Sequence, residues 1–115
     1  MVALSRNVNK KNAMEMLLTG DFISADKAKE IGLINNAVSK DELTSEVVGL
    51  AEKIASKSTM TVSTGKKAFY AQAEMTLTEA YKYTSKTMTE NLLKHDAKEG
   101  INAFIDKRSP KWKDK

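Results

Sequence analysis

The side chains best placed by type and spacing to do chemistry lie at the end of the chain. Between Asp106 and Lys115 stand Lys107, Arg108, Lys111, Lys113 and Lys115 against only Asp106 and Asp114. This stretch carries three of the four net positive charges of a 115-residue protein. It also holds the only Trp, Trp112, and the only Pro, Pro110. Two readings fit. Basic residues near a helix C-terminus offset its macrodipole. Alternatively, Lys107, Arg108 and Lys111 form an anion site, since a lysine head suits a phosphate. Trp112 then covers an apolar face or stacks on a base.

Elsewhere the sequence is poor in catalytic groupings. There is no nucleophile elbow, P-loop, GxGxxG or HExxH. With no Cys and one His, thiol nucleophiles, disulfides and thiolate or His-rich metal sites are excluded. His95 reads as a surface or capping residue. Glu15, Glu30, Glu74 and Glu99 fall on separate helices, each read as solvated or capping. No spacing pairs them for acid/base work. The six Met read as core filler at helical spacing. Lys alternates with Asp and Glu along most segments, the pattern of solvated helix faces rather than a nucleic-acid surface. No apolar run reaches the ~20 residues of a membrane span. Neither nucleic acid nor membrane is expected as a partner.

Holding those residues requires helices. One Pro and five Gly leave long segments with apolar residues at helical spacing. The fold class is mainly α, with five to six helices and at most one short extended segment, over a single domain, residues 1–115. A first helix is expected over Lys10–Leu18, with Ala13, Met14, Leu17 and Leu18 on one stripe and Gly20 closing it. Ser24 caps Ala25–Ile31, which stops at Gly32. Leu33–Val38 is the extended candidate. Ser39 and Glu42 form a capping box for a helix to about Ser56, whose Leu43, Val47, Leu50, Ala51 and Ile54 make one apolar face. Met60–Met75 comes next, with Val62 and Phe69 as core candidates and Gly65 as a place for close packing. Thr76 or Thr78 opens a long helix to about Lys94. Asp96 is expected to cap the last helix, Ala97 to about Arg108, with Glu99 completing the box.

Four segments together resemble the enoyl-CoA hydratase/isomerase family, the crotonase superfamily. They are LSRNVNKKNAMEMLLTGDFISADKAKEIGLINNAVSKDEL (Leu4–Leu43), AEKIASKS (Ala51–Ser58), MTLTEAY (Met75–Tyr81) and KEGINAFIDKRSPKW (Lys98–Trp112). KKAFY and TSKTM are most similar to a mitochondrial-type subgroup, the enoyl-CoA hydratase domain-containing proteins. The resemblance implies the C-terminal helical region of a chain more than twice as long. The family's N-terminal ββα spiral supplies the oxyanion hole and the catalytic acids. No counterpart of it is legible here, so the chain looks like an excised or truncated domain. By itself it is expected to have no catalytic residue, cofactor or metal, and no hydratase activity. The resemblance further implies self-association, as a trimer or another homo-oligomer, and a share in an acyl-CoA site. By position Lys107 matches a lysine near the adenosine phosphate of CoA. Met88 and Phe104 match apolar tunnel or core positions. Binding of acyl-CoA by the chain alone is expected to be weak or absent. The compartment is expected to be intracellular, either cytoplasm or mitochondrial matrix. The alternative is a non-catalytic helical module for self-association or partner binding.

Overall fold

The computed structural model describes all 115 residues. They form seven α-helices and no strand: α1 (Val2–Asn7), α2 (Lys10–Thr19), α3 (Ala25–Glu30), α4 (Leu43–Ala55), α5 (Thr59–Gln72), α6 (Leu77–Leu92) and α7 (His95–Ile105). The mainly-α expectation holds. The helix beyond the expected set is α1, and Leu33–Val38 is a bend and an irregular segment, not a strand. No helix is long and apolar enough to cross a membrane.

Two compact units divide the chain, Met1–Val47 and Val48–Lys115. In the first, local capping explains the helix ends. Asn9 accepts from the Asn12 amide at 3.0 Å, and Ser24 accepts from the Lys27 amide at 3.1 Å. Gly32, at φ +80°, closes α3 as anticipated. Its N–H donates to the Lys29 carbonyl, and that of Leu33 to the Ala28 carbonyl, at 3.1 and 2.8 Å. Ser39 and Glu42 form their reciprocal box, each amide reaching the other's side chain at 3.3 Å. α1 packs on α2, and Val8, Ala13 and Ala28 are buried.

In the second unit α5 packs on α6 and α6 on α7. The Ser58 hydroxyl caps α5 through the Thr61 amide at 3.3 Å. Thr76, rather than Thr78, opens α6, because Glu79 stands at N3 and completes a capping box. Ala68, Ala80 and Ala103 are buried.

The core thus holds one valine and five alanines. The longer residues expected inside stay outside. Met14, Leu17 and Leu18 of α2 are exposed, as are Val62 and Phe69 of α5. None of the six methionines is buried. The periodicity was right about the faces, but these faces have no cover. α4 is the clearest case: its apolar stripe exists, yet every one of its residues is exposed. Gly65, expected to allow close packing, has no atom within 4 Å of where its Cβ would stand.

A 13-residue helix without tertiary cover is marginal in water. The α4 amides should therefore exchange with deuterium well before those of α5 and α6, as mass spectrometry of the dilute chain would read. Gly65→Ala should stabilise the chain by about 0.5–1 kcal/mol through helix propensity alone, measured by urea denaturation. A loss of stability would mean the site is covered.

Candidate functional site

The basic terminus is built on α7. Asp96 and Glu99 lie three residues apart on one helix face, and both carboxylates turn toward the residues after Ile105. Asp96 does not cap its helix as expected. Lys94 occupies that place without a side-chain bond. Asp96 sits inside the first turn, 1% exposed, and accepts the amides of Lys113 and Asp114 at 2.8 and 2.9 Å. Its own amide donates to the Lys115 backbone oxygen at 3.1 Å. Burial pushes its carboxyl upward, but bonds from the Ser58 hydroxyl, the Lys113 amide, His95 and the Asp114 amide outweigh this and hold it at about 2.

Glu99, expected to be solvated or capping, takes both guanidinium arms of Arg108, at 2.6 and 3.0 Å. It also accepts the Lys111 amide at 2.7 Å. These bonds, led by Arg108, bring its carboxyl down to about 2, and raise the Arg108 guanidinium in turn. Trp112 completes the attachment. Its indole N–H donates to the Ser56 carbonyl at 2.7 Å, and its ring lies so near Gly100 that a Cβ there would meet it at 3.3 Å. The Asp114 carboxylate accepts the Met60 amide at 3.2 Å.

The terminus is therefore a clasp joining α7 to the start of α5. This corrects the anion-site reading for Arg108, which is spent on Glu99 and Asp106. Lys111 is tied to Glu99 through its backbone amide alone. Trp112 covers an apolar face rather than offering its ring to a base. Sequence reasoning missed the clasp because Asp96 and Glu99 bind backbone amides, which leave no trace in residue type. The one available signal was the pair of opposite charges, Glu99 within α7 and Arg108 just beyond its end.

Lys107 stands at the turn that ends α7. It is at φ +53°, with its amide on the Phe104 carbonyl at 3.3 Å and the Arg108 amide on the Ala103 carbonyl at 3.0 Å. Its side chain has no partner. Phe104 is 86% exposed and lines an open groove of about 500 Å³ with Ile101, Val62, Thr61 and Trp112. Met88 lies in another groove, of about 300 Å³, between α5 and α6, with Thr64, Gly65, Ala68 and Thr87. Thr61 lines both. The structure thus brings Lys107 and Phe104 together at one helix end, and separates Met88 from them across Thr61. No cluster of His, Asp or Glu side chains is arranged to hold a metal ion.

This architecture is that of solved enoyl-CoA hydratases. A Mycobacterium smegmatis enoyl-CoA hydratase matches with a TM-score of 0.92 and 45% identity over 96% of this chain and 43% of that one. The human enoyl coenzyme A hydratase domain-containing protein 3 matches with a TM-score of 0.91 and 48% identity, over 96% and 44%. Among curated sequences, the mitochondrial enoyl-CoA hydratase domain-containing protein 3 of Xenopus laevis is 47% identical over 96% of this chain. The family model described as enoyl-CoA hydratase/isomerase matches residues 1–115. The chain belongs to the enoyl-CoA hydratase/isomerase family. It corresponds to the C-terminal part of its relatives, and spans 38% of the length of the Xenopus protein.

Acid should open the clasp. Both carboxylates titrate lower when folded than when free, so their stabilisation is complete above the ordinary carboxylate range. It is lost as pH falls toward their folded values near 2. Trp112 is the only tryptophan, so its emission reports the clasp directly. It should be steady from about pH 7 to 5 and shift to the red between about pH 4 and 2. Emission unchanged down to pH 2 would contradict the assignment.

Proposed function

We propose that residues 1–115 act as one helical region of an enoyl-CoA hydratase/isomerase protein, contributing assembly surfaces and part of an acyl-CoA site. The observation that carries this reading is the bare apolar face of α4, where Leu43, Val47, Leu50 and Ile54 are all exposed. α6 repeats it with Leu77, Tyr81, Met88 and Leu92 at intervals of four, seven and four. Stripes of this kind mark surfaces that another protein layer covers.

At the ligand side, Lys107 meets a phosphate of coenzyme A as a point charge, with the exposed ring of Phe104 beside it. Met88 lines an apolar wall of the acyl or pantetheine path. The chemistry on the thioester, hydration of a 2-enoyl group or a related enolate reaction, lies outside these residues. No cofactor is invoked. The mitochondrial matrix is the favoured compartment, on the names of the curated relatives.

The exposed stripes equally favour a second reading, in which the chain is a helical self-association module that catalyses nothing. Two measurements separate the possibilities. Purified chain mixed with crotonyl-CoA should give no loss of the enoyl absorbance above a blank. A clear rate would refute the division of labour proposed here. Light scattering after size exclusion should give a trimer or larger species whose share grows with concentration. A monomer persisting at high concentration would sink both assembly readings.

A further inference from the structure

Only two non-glycine residues of the chain have positive φ, Lys107 at +53° and Asp114 at +55°. Asp is among the few residues that tolerate the left-handed region. Asp114 is also bonded there through both its amide and its carboxylate. Lys107 is not such a residue type, and it is bonded only through its amide, to the Phe104 carbonyl at 3.3 Å. Glycine is the usual residue at this place after a helix, and the Lys107 side chain bonds to nothing. Something outside Lys107 holds it in that conformation.

The holding groups are its neighbours. Arg108 is clamped on Glu99 by two bonds, and its Nε reaches Asp106 at 3.3 Å. Its amide is tied to the carbonyl of Ala103, which is 1% exposed. Glu99 also secures the chain beyond the turn through the Lys111 amide. Lys107 is thus the unpaired tip of a turn whose two flanks are both fixed. A long flexible side chain held at its base loses less freedom when it meets a ligand.

We propose that Glu99 and Arg108 are positioning residues for Lys107, holding its backbone left-handed so that its ammonium projects toward a phosphate. This rests on the coenzyme A reading above and adds to it how the lysine is aimed. Backbone strain kept at a point of contact is a recognised pattern at ligand sites.

Positioning and simple electrostatics predict effects of opposite sign. Removing the Glu99 carboxylate takes a negative charge away from the site and releases Arg108, so charge alone would tighten anion binding. Loss of positioning would weaken it. The probe is adenosine 3′,5′-bisphosphate, the phosphate-bearing end of coenzyme A, titrated by ¹⁵N NMR into the 115-residue chain and its variants. Lys107→Gly should raise the melting midpoint by roughly 2–6 °C, since glycine relieves the left-handed strain, and weaken the bisphosphate about tenfold. Glu99→Gln should weaken it roughly threefold and move the Lys107 Cα shift away from its left-handed value. Arg108→Lys keeps the net charge but cannot form the two-armed bond. It should behave as Glu99→Gln does, and it guards against misreading a variant that merely unfolds. Binding that is unchanged or tighter in both variants overturns the positioning role while leaving the lysine contact intact. Weak binding still shifts amide resonances at high ligand concentration, so no response of the unsubstituted chain with the bisphosphate in large excess overturns the coenzyme A contact itself, and this inference with it.

Discussion

Two carboxylates one helical turn apart organise the second half of this protein. Asp96 and Glu99 bind chiefly the terminal segment beyond α7 rather than their own helix. Charged acceptors bonded to amides and to a guanidinium are stronger than neutral pairs. A buried carboxylate left without donors is expensive. Asp96 therefore keeps its place only while Lys113 and Asp114 present their amides to it. That requirement folds the basic terminus back across α7, sets Trp112 against Gly100, and brings Asp114 to the start of α5. Of the basic side chains there, only Arg108 is consumed in building the molecule; Lys111 and Lys113 are held by their backbone amides. Lys107 is a cation the clasp leaves unpaired.

A second constraint is the want of cover. Each helix is well formed locally, with caps at the starts of α2, α3, α5 and α6. Side-chain burial stops at alanine and valine size. A fully buried large aliphatic side chain stabilises by about 1.5–3 kcal/mol, and this chain uses that source sparingly. Its long residues face outward in stripes. The Xenopus relative is more than twice as long as this stretch.

Much of the fold was legible in the residues alone. Helical periodicity, Gly20 and Gly32 at left-handed ends, Ser24 as a cap and the Ser39–Glu42 box are all local effects, decided within four or five residues. So is the apolar face of α4. Family membership was legible for a similar reason, because Leu-Thr-Gly, Ile-Ser-Ala and the closing Glu-Gly to Lys-Arg run keep their order along the chain. Tertiary structure decided what those local rules cannot reach. It made Asp96 a buried anchor instead of a cap, by bringing amides from 17 and 18 residues away. It paired Arg108 with Glu99 and Asp106 and left the Lys107 side chain unpaired. It parted Met88 from Phe104 by setting α5 between their grooves. The physical reason is common to all three. Periodicity and capping depend on neighbours in sequence, whereas the pairing of a charge depends on whichever donors the folded chain carries to it.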